Sequence, residues 1–146
     1  MIFWKTCATL FFIGKVPFFP GTWGSLFTLF LWLLVPLKVA IQLPLIILLI
    51  ILGLYSSNII AIALNKKDPS EIVIDEAIGM SIALFMIPHD FILYTLAFIL
   101  FRYFDIMKPS FIYHIQRFEG GWGIVLDDII AGLLTLSIVM TISIIF

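Results

Sequence analysis

Two long uncharged runs, 43–64 and 129–146, most constrain what this chain can fold into. Each is close to the ~20 apolar residues that a helix needs to cross the hydrocarbon of a bilayer. Across all 146 residues, 63% are hydrophobic and 12% are charged, whereas soluble domains contain roughly 45–50% apolar residues. We therefore predict an integral membrane protein, and the lack of a Pro-, Gly- or Ser-rich linker predicts a single domain over 1–146.

Capping and turn signals divide the chain into helices. A short amphipathic helix is expected at the membrane interface near the N-terminus. Asp68, Pro69 and Glu71 have the pattern of a helix start, Asp90 can cap the next helix, and Pro109 would stop it. The prediction is an all-α polytopic membrane bundle with about five membrane-embedded helices at 23–37, 43–64, 69–87, 91–107 and 124–146, with a short stretch 110–118 and a flexible glycine-rich entry before the last.

The basic residues predict how the bundle is oriented. If every span crosses, one face of the membrane receives Lys5, Lys15, Lys66, Lys67, Arg102, Lys108 and Arg117, and the other receives Lys38. Cytoplasmic loops carry the excess of Lys and Arg, so the first face is placed in the cytoplasm. That face also holds every acidic residue except Asp90. Polar chemistry is therefore expected at one face.

Three acidic groups on that face are candidates for a site. Asp75 and Glu76 interrupt an apolar helix, Asp105 follows Arg102 by three residues, and Asp127 precedes Asp128 at the start of the last helix. Burying ionised carboxylates costs several kcal/mol unless a cation or donor compensates. Clusters of carboxylate oxygens suit Mg²⁺, which keeps waters and engages substrate phosphate. Gly132, one turn after Asp128, would let a neighbouring helix approach closely.

Other interpretations remain open for several of these residues. Arg102 and Asp105 have the spacing of an ordinary intrahelical ion pair, and Asp68 is assigned first to helix capping and second to metal binding. The loop PGTWGS offers backbone N–H groups and the hydroxyls of Thr22 and Ser25 as a seat for an anion, or forms a simple turn and N-cap.

Several classes of chemistry have no matching residues. The net charge of −1 and the scattered basic residues exclude a soluble nucleic-acid-binding protein. The single Cys7 has no disulfide partner, and we find no GxSxG motif, phosphatase cysteine loop or histidine cluster. Carboxylates, a hard cation and basic phosphate-binding residues remain. They favour metal-assisted attack of water on a phosphate ester.

Four stretches together resemble the bacterial phosphatidylglycerophosphatase A family. They are PFFPGTWGSL (17–26), KDPSEIVIDEAIGM (67–80), FRYFDIMKP (101–109) and GGWGIVLDDIIAG (120–132), and they cover most of residues 14–132 in the family's order. The resemblance implies a Mg²⁺-dependent, multi-pass enzyme of the bacterial inner membrane whose active site faces the cytoplasm. Its substrate would be phosphatidylglycerophosphate, a membrane phospholipid, and its products phosphatidylglycerol and inorganic phosphate.

The resemblance also assigns roles to residues. It implies that Asp75, Glu76, Asp105, Asp127 and Asp128 are catalytic and metal-binding, with Asp68 as a further acidic position. It implies that Arg102, Lys108, Thr22 and Ser25 bind the substrate phosphate. The family often has a second proline near the position of Phe111, which could change the bend of that loop without removing chemistry.

Three other functions compete with this one. A phosphatase of another membrane lipid phosphate would use the same phosphoryl chemistry. A small divalent-cation transporter or channel subunit would use intramembrane acids as its ion path, but that path should continue to the opposite face, where only Asp90 is acidic. A membrane assembly factor without a site would leave Asp127 and Asp128 unexplained. The oligomeric state is left open.

Overall fold

The computed structural model describes residues 1–110, 114 and 120–146. All of the regular structure in these residues is helical, as predicted. The helices are α1 (Ile2–Ala8), a 3₁₀ turn (Ile13–Lys15), α2 (Pro20–Trp32), α3 (Val39–Leu64), α4 (Ile74–Ala83), α5 (Phe91–Met107) and α6 (Gly121–Ile145). The predicted stretch 110–118 lies almost entirely outside the described residues, as do Phe111 and Arg117.

Helix α4 lies at the centre of the bundle, in contact with α2, α3, α5 and α6. Nine of its ten residues are buried, which is the expected property of a helix that is surrounded by others. The main core packs around it and includes Ile78 and Met80 of α4, Phe101 of α5 and Val125 of α6. Asp75 is therefore held inside protein, while its neighbour Glu76 is only half-buried.

Two glycines allow α4 and α6 to cross in close contact. A Cβ atom at Gly132 would overlap the carbonyl oxygen of Gly79, and a Cβ at Gly79 would lie 2.6 Å from the carbonyl oxygen of Asp128. Small residues at a crossing let helix backbones approach each other in this way. The expectation that Gly132 lets a neighbouring helix come close is confirmed.

Replacing Gly132 with Ala should therefore destabilise the bundle. The added methyl meets a backbone atom, which cannot rotate away, and overpacking of this kind costs about 1–3 kcal/mol. Unfolding in mixed detergent micelles measures the change. The matched control is Leu133→Ala, since Leu133 is the exposed neighbour. Equal stability of the two variants would show that the crossing is loose.

The sequence placed one helix correctly at both ends. Helix α5 was predicted at 91–107 and is observed at Phe91–Met107, with the Asp90 carboxylate accepting a hydrogen bond of 3.0 Å from the Leu93 N–H. Pro109 follows the left-handed Lys108 that ends the helix. Both ends carry strong local signals, so no tertiary contact was needed to predict them.

The predicted start of α4 at Asp68 and Pro69 was wrong. The helix begins at Ile74, and residues 68–73 form turns in which the Ile72 N–H donates to the Pro69 carbonyl. The Val73 N–H donates to the carbonyl of Ala8, at the end of α1, over 2.9 Å. This long-range backbone bond holds residue 73 outside the helix, so the helix begins later in the sequence than predicted. A capping signal cannot reveal such a bond.

Helices α2, α3 and α6 begin earlier than predicted. Helix α2 starts at Pro20, whose fixed φ suits the first helical position, and it ends at Trp32, well before the predicted 37. Helix α3 tolerates Pro44 in its second turn. The prediction of a flexible glycine-rich segment before α6 is wrong from Gly121 onward, because Gly121 is the first residue of the helix. Gly121 also packs against the carbonyl of Leu54 in α3.

Within the described residues, α3 and α6 are the two helices long and apolar enough to cross a membrane. Many large apolar side chains along the bundle are exposed, including Phe30, Leu48, Ile51 and Ile144. Large apolar surface of this extent belongs in contact with lipid. The chain is therefore a membrane protein, while the predicted number of about five membrane-embedded helices stays a prediction.

Candidate active site

A cavity of about 270 Å³ opens at the end of the bundle where α2, α4 and α6 begin and α5 ends. The opposite end is held by the buried Gln42, whose side chain accepts from the Met86 N–H and donates to the Pro36 carbonyl. Fourteen residues line the cavity: Phe19, Pro20, Gly21, Asp68, Pro69, Ser70, Ile72, Asp75, Glu76, Arg102, Asp105, Lys108, Asp127 and Asp128. Chain segments that are distant in sequence thus supply one site.

Three carboxylates form the inner part of the cavity. Asp75 and Glu76 lie in the first turn of α4, and Asp128 lies in α6, on the other side of the glycine crossing. One oxygen from each lies within 4.8 Å of the others. Asp75 is 8% exposed and Asp128 is 2% exposed. The close approach of α4 and α6 is what brings the carboxylates together.

This cluster, which we call the carboxylate triad, leaves one oxygen of each member without a hydrogen bond among the described residues. Asp75 Oδ1, Glu76 Oε2 and Asp128 Oδ2 are buried without a hydrogen-bond partner among the described residues. Unpaired carboxylates this close repel one another, and their burial is costly. A divalent cation would satisfy all three oxygens at once, and an all-oxygen donor set suits Mg²⁺. The triad therefore fits the metal that the sequence implied.

Two cations lie on the outer side of the triad, both in ion pairs. Arg102 pairs with Asp105 one turn further along α5, and its buried Nε has no hydrogen-bond partner among the described residues. Lys108 Nζ lies 3.1 Å from Asp127 Oδ2. Burial lowers the pKa of Lys108, but the charge of Asp127 and the hydrogen bond to it outweigh this and raise it. Lys108 is thus held as a cation at the cavity.

Asp68 lies at the cavity rim rather than at a helix N-cap, so the capping assignment was wrong. Partial burial raises the pKa of its carboxyl, Lys108 opposes the rise, and Asp127 and Asp105 add to it. Asp68 therefore belongs electrostatically to the same group of charges as Lys108. It is not one of the three closely spaced triad residues.

Thr22 and Ser25, the two hydroxyl residues that the sequence offered for phosphate binding, lie outside the cavity lining. The buried Ser25 Oγ donates to the Gly21 carbonyl of its own helix over 2.9 Å, and Thr22 lies one residue beyond the last α2 residue that lines the cavity. The lining comes instead from Phe19, Pro20 and Gly21. The sequence signal for them was the Pro-Gly pair, which predicted a turn here but not its contact with the acids.

Gly21 is the tightest point between α2 and the triad. A Cβ atom there would overlap Glu76 Oε1 and lie 3.3 Å from Arg102 Nη1. Only glycine lets the first turn of α2 pass this close to both charged groups. Gly21 is thus a functional candidate that the sequence identified only as part of a glycine turn.

The Gly21→Ala variant is expected to lose activity by about 10²-fold, because its methyl would displace Glu76 and Arg102 by a fraction of an ångström or more. Phosphate release and thermal unfolding should be measured together. Gly53→Ala is the matched control, because its Cβ would meet mainly the flexible end of Ile78. Near wild-type activity in Gly21→Ala would contradict the tight contact.

Fold and site together define a class: an all-helical membrane enzyme with acidic and basic residues gathered around one cavity. The family profile described as phosphatidylglycerophosphatase A matches residues 6–143. The chain belongs to the phosphatidylglycerophosphatase A family, as the sequence motifs predicted, and it is a phosphatase.

Curated relatives agree with this family but carry two names. Phosphatidylglycerophosphatase A of Escherichia coli is 36% identical over 92% of this chain and 80% of its own length. The Haemophilus influenzae protein of the same name is also 36% identical, over 85% of this chain and 78% of its own. A Bacteroides thetaiotaomicron protein named "Putative phosphatidylinositol-3-phosphatase" is 34% identical over 82% of this chain and 80% of its own. No solved structure shows significant similarity to the chain.

Proposed function

We propose that this protein removes the terminal phosphate of phosphatidylglycerophosphate and yields phosphatidylglycerol and inorganic phosphate in phospholipid biosynthesis. The observation that carries the proposal is one cavity in which the carboxylate triad faces Arg102 and Lys108. The identity of the substrate is inferred from membership of the phosphatidylglycerophosphatase A family. A phosphomonoester brings negative charge to a site rich in carboxylates. Cations are therefore needed both between the phosphate and the carboxylate triad and on the other side of the phosphate, at Arg102 and Lys108.

Asp75, Glu76 and Asp128 would hold Mg²⁺, since one oxygen of each lies within 4.8 Å of the others and each residue has a buried oxygen without a hydrogen-bond partner among the described residues. Asp105 and Asp127 are further candidates, but both form ion pairs. When bound, Mg²⁺ supplies Lewis-acid polarisation of the phosphate and favours ionisation of the attacking water. The acids of the chain would orient that water and accept its proton.

The basic residues would bind the phosphate. Arg102 already has one nitrogen on Asp105, and the planar guanidinium retains donors for phosphate oxygens. Lys108 is a point charge at the C-terminal end of α5, fixed by Asp127. Asp105 and Asp127 would therefore position the two cations as well as serve the reaction.

The position of the triad along α6 supports a site at headgroup depth. Residues 128–145 span about 26 Å at ~1.5 Å per residue, close to the ~30 Å hydrocarbon thickness. A phosphate at Asp128 would then lie near one surface while the acyl chains stay in lipid. With the excess of Lys and Arg on this side, we propose a multi-pass protein of the bacterial inner membrane whose site faces the cytoplasm.

A second candidate substrate is another lipid phosphate. The Bacteroides relative is named for phosphatidylinositol-3-phosphatase activity, and the carboxylates and cations described above would treat any phosphomonoester alike. A divalent-cation transporter is less well supported, since the acidic residues of the cavity end with no acidic continuation towards Asp90 within the described residues.

Wild-type enzyme should release phosphate from phosphatidylglycerophosphate at least about tenfold faster, by kcat/KM, than from phosphatidylinositol 3-phosphate. Each lipid is presented in the same detergent micelles, and an Asp128→Asn preparation made in parallel measures contaminating phosphatases. Faster release from the inositol lipid would favour the second candidate. No release from either, together with divalent-cation flux in proteoliposomes, would favour the transporter.

A further inference from the structure

A second, apolar feature begins next to the active-site cavity. This feature, the α2–α5 groove, has a volume of about 440 Å³ and is lined by Leu26 and Leu29 of α2, by Leu33 directly after it, and by Phe91, Thr95 and Phe98 of α5. Its far end, near the start of α5, contains His89 and Tyr94, whose rings meet edge to face at 5.8 Å. Phe91 is 84% exposed and Leu33 is 41% exposed, so the groove opens to the lipid side of the bundle.

The groove and the cavity lie on the same face of α5. Residues 91, 95, 98, 102 and 105 follow spacings of three and four, which places them in one stripe along a helix. Phe91, Thr95 and Phe98 line the groove, whereas Arg102 and Asp105 line the cavity. The change from apolar to charged lining takes place within one turn, between Phe98 and Arg102.

Helix α2 forms the other wall in the same way. Pro20 and Gly21 at its start line the cavity, and Leu26, Phe30 and Leu33 line the groove at spacings of four and three residues. These spacings also keep one helix face. Both walls of the groove thus continue from the walls of the site.

We propose that the α2–α5 groove binds one acyl chain of the lipid whose phosphate lies in the cavity. The inference rests on the proposed function, because the phosphate position fixes where the chain begins. From Leu26 to Leu33 the groove runs about 10 Å along α2 at ~1.5 Å per residue, towards the opposite membrane face. A phospholipid with its headgroup at the cavity has its chains pointing in that direction.

This arrangement gives the apolar contacts a role in catalysis. Apolar surface is already in a lipid environment, so the groove gains little from burial alone. Its contribution is to fix the lipid's orientation, which holds the phosphate against Arg102 and the triad. The groove should therefore matter for long-chain substrates and not for short-chain analogues that are dissolved in water.

Kinetics with two variants test this role. Leu26→Trp fills the groove near the site, and Leu48→Trp adds the same bulk at an exposed position of α3. We expect Leu26→Trp to lower kcat/KM about tenfold for long-chain phosphatidylglycerophosphate and to leave the dihexanoyl analogue unchanged. Leu48→Trp should change neither. Equal loss on both substrates, or no loss on either, would overturn the proposal.

Photolabelling provides a test that does not need turnover. The probe is a phosphonate analogue of phosphatidylglycerophosphate with a diazirine near the end of one acyl chain. It should label peptides of α2 and α5 that contain Leu29 to Leu33 or Phe91 to Thr95, and labelling should fall in Leu26→Trp but not in Leu48→Trp.

Competition separates substrate from bulk lipid. Excess unlabelled phosphatidylglycerophosphate should suppress labelling about tenfold, whereas phosphatidylcholine should not. Equal suppression by phosphatidylcholine would mean that the groove holds only boundary lipid and would overturn the proposal. Selective labelling without phosphate release by wild type would support the groove and overturn the proposed function instead.

Discussion

Replacement of Asp128 by Asn is expected to reduce phosphate release from phosphatidylglycerophosphate by roughly 10³-fold or more. The three carboxylates of the triad would act as a unit, so the loss of one should remove most of the contribution of all three. Asp128 supplies one of the three clustered oxygens and is 2% exposed. Asparagine keeps the shape of the side chain but removes the charge that a cation requires. Initial rates at saturating Mg²⁺, in detergent micelles of fixed lipid content, measure the loss.

Asp90→Asn is the matched control for this variant. It makes the same chemical change at the opposite end of the bundle, and Asn caps a helix about as well as Asp. Asp90→Asn should therefore retain activity and stability. In chelator, Asp128→Asn should unfold no more easily than wild type, since it relieves repulsion within the triad. Substantial activity in Asp128→Asn would remove the triad from the mechanism.

Removal of divalent cations should have an effect of similar size. Wild-type protein dialysed against a chelator is expected to lose phosphate release by at least about 10³-fold and to recover it when Mg²⁺ is added. Mg²⁺ should also raise the thermal unfolding temperature, since a ligand at 100 times its Kd adds about 2.7 kcal/mol. The unfolding temperature can be followed without substrate.

The Asp128→Asn protein serves as the control for the metal-dependent shift. Its unfolding temperature should respond far less to Mg²⁺, because one of the three clustered oxygens is replaced. Full turnover in chelator would contradict the metal requirement. An equal Mg²⁺ shift in both proteins would show that the cation binds elsewhere.

Local signals predicted those parts of the fold in which local chemistry decides the structure. Helix α5 has an acidic cap at one end and a proline after the other, and its bounds were predicted correctly. Helix α4 begins six residues after Asp68 because the Val73 N–H bonds to the Ala8 carbonyl. That bond joins segments that are distant in sequence, so no pattern around Asp68 could reveal it.

The acidic and basic residues of the site were predictable for a different reason. Charged groups in an apolar chain are costly unless they meet, and the structure brings Asp75, Glu76, Asp105, Asp127 and Asp128 to one cavity with Arg102 and Lys108. The pairing of Lys108 with Asp127 was missed, because it joins α5 to α6. Their individual roles in the reaction stay predictions.

The hydrogen bond between Val73 and Ala8 has a practical consequence for protein engineering. It anchors the end of α1 to the loop that leads into the triad, and the 3₁₀ turn packs against the same loop, where a Cβ at Gly14 would overlap the Glu71 carbonyl. A change that displaces the end of α1 would therefore disturb the loop that leads into the active site. Phe146, 98% exposed and at the other end of α6 from the triad, is the better attachment point for an affinity tag.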